Sequence, residues 1–433
     1  MNEKKYLNSF FWKLFYNIIV VPTLWIVFHI LGLFDKKVAR GLRGRKGLFE
    51  ELQKEINKLS ADNKRIWFHS SSMGEFEQAK PIITELKKRY PQIQIIVSFF
   101  SPSGYEHSQK YKLADLITYI PFDSYQNARK FVNIVKPNVA VIIRYDAWPN
   151  HLWALKRSDI PTFIASATLQ NQTLRKLPVI KQFHREFYNL VDYILTVSVN
   201  DKNVFESFRI SHPIIEVIGD TRYDQVWQRS VDSKSRQILD PKIVANKKVL
   251  VIGSSWKDDE NILLPAIFKI IANHPEFIAV LVPHEPTIET LERIENELNG
   301  DTSAIRFSNL SQYQDEKIIL IDIVGILMPL YRYAHIAYVG GSFHNGIHNV
   351  LEPASYGIPI IFGHKYDNSQ EAIQLVEEKA AFSCRDENEL YIQLESLLGN
   401  ETERIRCGEK VMSLVKKNVG ATQRILSYIE KVL

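Results

Sequence analysis

Short apolar strands recur along the chain and constrain its fold more than any other feature. Most are followed by a turn with glycine, serine or proline and then by a helical stretch. The predicted strands form two series, 65–69, 95–100, 119–123, 139–143, 162–165, 193–197 and 215–218, and then 248–254, 277–282, 317–321, 336–339 and 358–362. Apolar strands that alternate with helices are typical of parallel sheets covered on both faces. The predicted fold class is therefore α/β, with two doubly wound Rossmann-like domains that face a cleft.

The boundaries of the predicted domains follow from the two series of strands. A length of 433 residues suits two such domains. Residues 48–225 and 248–410 are predicted to form them, with a polar linker at 226–247 between them. Residues 411–433 are predicted to be a C-terminal helix, and residues 1–47 lie outside both series.

Charge and cysteine content limit the classes of partner. The formal net charge is +5 and the pI is about 8.8, which favours anionic partners such as phosphates or lipid headgroups. This balance is too mild to indicate nucleic acid, so no nucleic-acid partner is expected. The two cysteines, Cys384 and Cys407, have no metal-ligand spacing. The cysteine content therefore predicts a reducing compartment. No His/Cys/Asp cluster has metal-ligand spacing, so we expect no bound metal, and we expect no cofactor.

The N-terminal segment differs in composition from the rest of the chain. Residues 14–34 carry no Asp, Glu, Lys or Arg and are about long enough to cross a bilayer. A basic cluster follows, formed by Lys36, Lys37, Arg40, Arg43, Arg45 and Lys46. By the positive-inside rule, this cluster places the remaining chain in the cytoplasm. Asn17, Pro22 and His29 interrupt the segment, so a helix lying in the membrane interface and a buried core helix remain alternatives.

A glycine turn follows the predicted strand that ends at Val339. Gly340 and Gly341 have no Cβ, so backbone N–H groups there can approach a ligand. The helix predicted to start at Asn349 would point its positive end at a phosphate. Glu352, in its first turn, can accept hydrogen bonds from ribose hydroxyls. The alternative is a structural turn in which the acid only offsets the helix dipole.

Three charged side chains are candidates for chemistry. Glu75 begins a predicted helix after a Ser/Gly turn, where it can act as a general base or merely cap the helix. Asp146 follows a strand end, a position where acids serve either a site or a turn. Arg222 can contact an anionic group, or it can pair with Asp220 or Asp224. There is no Walker A sequence and no Gly-x-Ser-x-Gly elbow.

Taken together, these motifs resemble those of the 3-deoxy-D-manno-octulosonic acid (Kdo) transferases of lipid A assembly, which have the GT-B fold. The resemblance runs in matching order from about residue 10 to about residue 382. The matching positions are His69, 72–75, 101–104, 121–123, 148–150, 219–220, 253–254, Asp322, 325–327, 338–343 and 351–354.

The resemblance implies an enzyme attached to the cytoplasmic face of the inner membrane by its N-terminal segment. It would move Kdo from CMP-Kdo to a lipid A precursor, lipid IVA, and we expect inversion at the anomeric carbon. Glu75 would be the general base, with Asp146 and Arg222 in the catalytic set and Ser72 and Gly74 on the acceptor side. The donor-binding residues would be Gly253, Ser254, His284, Gly340, Gly341, Ser342, Gly346, Asn349 and Glu352.

The chain departs from the family pattern at several polar positions. Arg144 stands where the family has an acid, and Asp146 where it has a longer one. His284 replaces an arginine expected to contact the nucleotide, and Arg222 replaces a lysine. The second glycine of the family's Gly-Gly-His-Asn is isoleucine here, after Gly346.

Three alternative functions remain open from the sequence. The first is a GT-B transferase that uses a UDP-sugar. The second is a non-hydrolysing UDP-sugar 2-epimerase, which shares the architecture but acts on soluble substrates and needs no apolar N-terminal segment. The third is a sugar-nucleotide-binding protein without catalytic activity, an alternative that the change to Arg144 keeps open.

Overall fold

The computed structural model describes residues 10–169, 175, 177–233, 235–298 and 304–433. The chain divides into two compact units, Met1–Gln225 with Val419–Leu433, and Val226–Asn418. Residues 1–9 of the predicted N-terminal segment and residue 234 of the predicted linker lie outside the described residues.

Each unit is built on one parallel sheet. The strands of the first are β1 (Arg65–Ser70), β2 (Gln94–Phe99), β3 (Leu116–Tyr119), β4 (Val139–Ile143), β5 (Thr162–Ala167), β6 (Tyr193–Thr196) and β7 (Ile214–Val217). Those of the second are β8 (Lys248–Ser255), β9 (Phe277–Pro283), β10 (Ala304–Arg306), β11 (Ile318–Leu320), β12 (Ile336–Val339), β13 (Ile360–Phe362) and β14 (Ala381–Ser383). Their spatial orders are β3-β2-β1-β4-β5-β6-β7 and β10-β11-β9-β8-β12-β13-β14.

Helices connect the strands of both sheets. Those that precede the second sheet are α1 (Phe10–Phe34), α2 (Lys36–Arg43), α3 (Leu48–Ile56), α4 (Met73–Arg89), α5 (Pro102–Ser108), α6 (Tyr125–Val135), α7 (Pro149–Arg157), α8 (Pro178–Tyr188), α9 (Val199–Glu206), α10 (Thr221–Ser233) and α11 (Pro241–Val244). The others are α12 (Lys257–Asn273), α13 (Ile288–Leu298), α14 (Leu327–Leu330), α15 (Leu351–Ala354), α16 (Gln370–Glu377), α17 (Glu387–Gly399), α18 (Glu401–Asn418) and α19 (Ala421–Ile429).

Both faces of each sheet are buried, as the apolar strands predict. In β1, Trp67 packs into one apolar cluster, whereas its neighbours Ile66 and Phe68 pack into the cluster on the opposite face. In β8, Leu250 and Val251 divide in the same way between two clusters. Successive side chains of a strand point to opposite faces, so an all-apolar strand needs cover on both. The predicted α/β class with two doubly wound sheets is confirmed.

The strand order reverses at one place in each sheet. β1 pairs with β2 on one side and β4 on the other, and β8 lies likewise between β9 and β12. Connections on the two sides of such a reversal lead to opposite faces, which leaves a crevice at the carboxyl ends of the two central strands. The loops after β1, β4, β8 and β12 are therefore where ligand-binding groups are expected.

One predicted strand lies earlier in the chain, and Asp123, at its predicted end, instead caps a helix. The strand expected at 119–123 is β3, which ends at Tyr119. The carboxylate of Asp123 accepts the N–H groups of Asn150 and His151 at 3.0 Å. It therefore caps the first turn of α7, although it lies in a distant segment of the chain. Tyr16 of α1 donates its hydroxyl to the same carboxylate at 2.8 Å.

The stretch predicted to be a linker is partly helical. α10 runs from Thr221 to Ser233 without a break, and Leu239 and Ile243 are buried in the second unit. The last helix belongs to the first unit, because Ile425 and Ile429 are buried in the same cluster as Ile66.

The helix α1 lies against the first unit. Among the described residues it is the one helix long and apolar enough to cross a membrane. Near its start, the ring of Trp12 lies 5.6 Å from that of Phe183, and further along Phe28 lies 5.4 Å from Phe100 and 5.7 Å from Phe122. The helix therefore has aromatic contacts with the first unit on one side and exposed apolar side chains on the other.

The basic cluster after α1 is not uniformly available to a membrane. Arg45 stacks its guanidinium on Phe100, Tyr119 and Phe122 and donates to the carbonyls of Ile120 and Phe100. Burial lowers the pKa of Arg45 to about 10. Its role is therefore to fix the segment after α2 to the domain. Arg40 pairs with Glu106 at 3.1 Å, whereas Lys36 and Lys37 are exposed.

We predict that the double substitution I26D/I30D abolishes binding to lipid vesicles and leaves the melting temperature nearly unchanged. Both side chains are about half exposed, so the change removes apolar contact with lipid without opening the core. Flotation with vesicles and thermal unfolding measure the two effects.

The matched variant is W12A, on the packed side of α1. Trp12 is 6% exposed, so its loss should cost about 3–5 kcal/mol of stability while vesicle binding persists. An unchanged melting temperature in W12A would mean that α1 is not packed against the domain.

Candidate functional site

The first part of the site lies at the carboxyl ends of β1 and β4. Glu75 is in the first turn of α4, which follows β1, and Arg144 and Asp146 follow β4. His69 is in β1 itself, and its Nε2 atom lies 3.8 Å from Oδ2 of Asp146. The charges of His69, Arg144 and Asp146 all act on the pKa of Glu75. The reversal of strand order therefore brings together Glu75 and Asp146, which were in the predicted catalytic set. It adds His69 and Arg144, which were not.

Glu75 is a buried carboxylate with a raised pKa. Its side chain is 7% exposed, and burial raises its pKa above the ordinary value for glutamate. The N–H of Ser71 donates to its Oε2 at 2.5 Å and opposes this rise. Ser72, not Glu75, caps the helix through its hydroxyl. Glu75 thus keeps affinity for a proton, which a general base needs, and it also holds the turn before α4.

His69 is a buried histidine with one unused nitrogen. It is 1% exposed, and its Nδ1 lies 2.9 Å from Oγ of Ser98. No described residue bonds to its Nε2, which faces Asp146. Buried polar atoms without a partner are uncommon and often mark a ligand site. The signal available in the sequence was a polar residue inside an otherwise apolar strand.

Arg144 adopts a strained backbone conformation at the end of β4. Its φ is +65°, a value that residues with a side chain seldom adopt. The charge of Arg144 lowers the pKa of Glu75, whereas that of Asp146 raises it. The exchange of a family acid for Arg144 therefore changes the proton affinity of Glu75.

Arg222 is held by an acid of its own loop. Its guanidinium bonds to Oδ2 of Asp220 at 2.6–2.8 Å, which is one of the two pairings expected from the sequence. Asp224, the other candidate, accepts the N–H of Thr422. Asp220 also accepts from Gln78 of α4 at 3.3 Å, so Arg222 lies beside the helix that carries Glu75. Gly74, on the predicted acceptor side, would meet nothing within 4 Å if it carried a Cβ.

In the second unit, the glycine turn after β12 is held by Asp259. The N–H of Gly340 donates to the carbonyl of Gly253 at 2.9 Å, and that of Gly341 to Asp259 at 2.8 Å. Both amides therefore have partners, which differs from the expectation that they meet a phosphate. Asp259 is fully buried, and burial raises its pKa against the effect of its hydrogen bonds. It also accepts from Tyr338 and from the N–H of Trp256.

Close packing explains the glycines and serines at this edge. A Cβ on Gly340 would lie 2.2 Å from the carbonyl oxygen of Ser254, and one on Gly253 would lie 2.2 Å from the hydroxyl of Tyr331. Ser342 is buried, and its hydroxyl accepts the N–H of Gly363 at 2.6 Å. Gly253 and Gly340 therefore allow the close packing of the turn, and the hydroxyl of Ser342 is engaged within it.

Other predicted donor-binding residues are nearer the surface. α15 is one turn long and starts at Leu351, with Oδ1 of Asn349 accepting the N–H of Leu351 at 3.0 Å. Asn349 also donates to Glu352 at 3.4 Å. His284 is exposed and stacks on Trp256 at 4.6 Å. Gly346, with φ of +124°, packs against Asn368. Within the described ranges, no group of three or more His, Cys, Asp or Glu could hold a metal ion.

Comparison with known proteins shows which family the chain resembles. The model of the family described as 3-deoxy-D-manno-octulosonic-acid transferase (kdotransferase) matches residues 40–225. The 3-deoxy-D-manno-octulosonic acid transferase of Haemophilus influenzae is 25% identical over 98% of this chain and 99% of its own length. That of Aquifex aeolicus is 28% identical over 84% of this chain and 94% of its own.

Solved structures share the fold. The UDP-GlcNAc 2-epimerase from Neisseria meningitidis, bound to UDP-GlcNAc, has a TM-score of 0.57 and 16% identity over 85% of this chain and 100% of that chain. At this identity the likeness concerns the fold, which hosts more than one function.

The two doubly wound sheets and the curated relatives define a glycosyltransferase with a GT-B-like fold. Within this class, the chain is similar to the Kdo transferases, through the family model over residues 40–225 and through the two relatives at 25% and 28% identity. The resemblance seen in the sequence is thereby confirmed.

We predict that D146N and R144M move the acid limb of the pH–rate profile in opposite directions. Removing the charge of Asp146 lowers the pKa of Glu75, so activity should persist to lower pH. Removing the charge of Arg144 raises the pKa of Glu75, so the acid limb should move to higher pH, because Glu75 then stays protonated up to a higher pH. Shifts of up to about one pH unit are expected for neighbouring charges.

The control for this pair is D62N, because Asp62 is an exposed acid of the same unit. This substitution should not shift the acid limb of the pH–rate profile. If D146N and R144M shift the limb in the same direction, the group that titrates is not Glu75.

Proposed function

We propose that this protein transfers Kdo from CMP-Kdo to a lipid A precursor, lipid IVA, with inversion at the anomeric carbon. The observation that carries the proposal is the buried Glu75, with its raised pKa, at the reversal point of the first sheet. The full-length match to Kdo transferases supports the choice of donor and acceptor.

The reaction is a single displacement with Glu75 as the base. Glu75 takes the proton from a glucosamine hydroxyl of the acceptor, whose oxygen attacks the anomeric carbon of Kdo. The bond from that carbon to the phosphate oxygen breaks, and CMP leaves with both electrons. The transition state resembles an oxocarbenium ion, as in other glycosyl transfers. In this proposal His69 and Asp146, whose Nε2 and Oδ2 atoms are 3.8 Å apart, orient the attacking hydroxyl.

The second unit holds the donor. Glu352 accepts hydrogen bonds from the ribose hydroxyls and keeps the nucleotide in register. The turn at Gly340 and Gly341 is rigid, because its amides are bonded within the unit. Arg222 remains a candidate contact for the Kdo carboxylate or the phosphate.

The acceptor is a lipid, which fits the exposed face of α1. Apolar side chains of this helix are half exposed or more, among them Phe10, Ile18, Leu33 and Phe34. We propose that this face enters the inner membrane from the cytoplasmic side and keeps the enzyme beside its acceptor. Lys36 and Lys37, both exposed, add attraction to anionic lipid.

Donor choice separates this proposal from the UDP-sugar alternative. The purified protein is incubated with lipid IVA and either CMP-Kdo or UDP-sugars, and released CMP or UDP is measured. The proposal expects CMP release with a product heavier by Kdo. UDP release from a UDP-sugar, with none from CMP-Kdo, would favour another transferase.

We predict that E75Q loses about 10²–10⁴-fold in turnover and keeps CMP affinity, because an amide cannot take the proton. The glutamine oxygen can still accept the N–H of Ser71, so the turn should persist. Turnover and calorimetric CMP binding test this. A variant with more than about a tenth of wild-type rate would leave Glu75 only a structural role.

The same variant should melt at a higher temperature than wild type at pH 8. A carboxyl whose pKa is raised by folding contributes stability below its unfolded pKa and loses that contribution as pH rises through the folded pKa. Glutamine stays neutral at all pH values, so it avoids this loss. Below pH 4 the two proteins should melt at similar temperatures.

We predict that E352A weakens CMP binding by about 10–150-fold, the worth of about 1.5–3 kcal/mol for hydrogen bonds to a charged group. CMP and CMP-Kdo should lose affinity equally, because the lost contact is to the ribose. Unchanged CMP affinity would show that Glu352 does not hold the nucleotide.

A further inference from the structure

Four aromatic rings stack at the carboxyl edge of the second sheet. Trp256 follows β8, His284 follows β9, and His344 and His348 follow the glycine turn. The ring of His284 lies 4.6 Å from that of Trp256 and 4.5 Å from that of His348. His344 lies 4.9 Å from Trp256 and pairs through Nδ1 with Asp258 at 2.8 Å. The predicted site contained only His284 of these four.

Trp256 and His348 are joined by a hydrogen bond. Their rings are inclined by 14° with centroids 6.3 Å apart, and Nε1 of Trp256 donates to Nε2 of His348 at 2.7 Å. His284 stacks on both rings. The three segments that follow β8, β9 and β12 are therefore tied together at one point.

This hydrogen bond decides where His348 carries its proton. An indole N–H is only a donor, so Nε2 of His348 must accept and holds no proton. The proton of the neutral ring is then on Nδ1. Burial lowers the pKa of His348 to about 4, and the neighbouring His284 and His344 add to this effect. At neutral pH the ring is therefore uncharged and presents an N–H at Nδ1.

The Nδ1 atom of His348 is available to a ligand. No described residue accepts a hydrogen bond from it, and the side chain is only partly buried. The ring lies directly beside the glycine turn, since a Cβ on Gly341 would be 2.8 Å from Cδ2 of His348. The amides of Gly340 and Gly341 are already bonded, so a phosphate at this edge needs another donor.

We propose that Trp256 is a positioning residue that holds His348 as the Nδ1–H tautomer, and that this N–H binds a phosphate oxygen of the sugar nucleotide. The inference rests on the proposed function for the identity of the nucleotide. A neutral donor binds the phosphate in both its bound and departing states and transfers no proton to it. The position is distinct from the ribose contact at Glu352.

The tautomer is measured directly by long-range 1H–15N correlation spectra of the histidine side chains in the full-length protein at pH 7. The signals of His348 are assigned by their absence in H348Q. The proposal expects a protonated Nδ1 and an unprotonated Nε2. A proton on Nε2 of His348 in the wild-type protein would refute the proposal by itself, whatever the variants show.

The variant W256F keeps an aromatic ring for stacking and loses the N–H. The proposal expects His348 to gain the Nε2–H form in W256F, and CMP affinity to fall roughly tenfold, the worth of one hydrogen bond to a charged group. H344N is the matched control, because it removes a stacked ring and leaves the hydrogen bond from Trp256. If H344N changes the tautomer as W256F does, stacking and not the hydrogen bond sets it, and the proposal is wrong.

Titration with CMP and with UDP separates this inference from the proposed function. The Nδ1 signal of His348 should move on saturation with the nucleotide that binds. Binding of UDP alone, with a shift at His348, would support the phosphate contact and refute the choice of CMP-Kdo as donor. Nucleotide binding that leaves the signal of His348 unchanged would refute the contact itself.

Discussion

A buried carboxylate in each unit fixes the loops at the carboxyl edge of its sheet. Asp123 accepts two N–H groups from the start of α7 and the hydroxyl of Tyr16. Asp259 accepts the N–H groups of Gly341 and Trp256. A carboxylate removed from water is tolerated only when hydrogen bonds replace its hydration, so each acid forces distant segments into one arrangement. The two loop sets that carry the site depend on these contacts.

Glu75 differs from these two acids because it is buried with few partners. Its carboxylate accepts the N–H of Ser71, and burial raises its pKa. Burial raises the pKa of Asp259 as well, so what distinguishes Glu75 is its smaller number of hydrogen-bond partners and not the direction of its pKa shift. Two histidines share one arrangement: His69 is held through Nδ1 by Ser98 and His348 through Nε2 by Trp256, and the other ring nitrogen of each has no hydrogen-bond partner among the described residues. In both units, therefore, one polar contact orients a histidine ring and leaves its other nitrogen unpartnered among the described residues.

The sequence predicted the fold well because its strands are apolar and evenly placed. β10 and β14 were missed, since three-residue edge strands such as Ala304–Arg306 carry too little pattern. The helix expected from Asn349 is a single turn that begins at Leu351.

The candidate site was less predictable, because its order comes from contacts between residues distant in the chain. The bond from Gly341 to Asp259 spans 82 residues and that from Trp256 to His348 spans 92. Local pattern indicated Glu75 and the glycine turn, but it could not show that the turn amides are already bonded. The catalytic and donor-binding assignments stay predictions.

The most direct test of the account is the pKa of Glu75 in the intact protein. Glutamate labelled with 13C at Cδ reports each carboxyl by NMR, and the signal missing in E75Q identifies Glu75. The account predicts a titration midpoint clearly above the value of about 4.3 for an exposed glutamate. A midpoint at or below that value would contradict it, because Glu75 would then be a stabilised carboxylate of the scaffold and not the base.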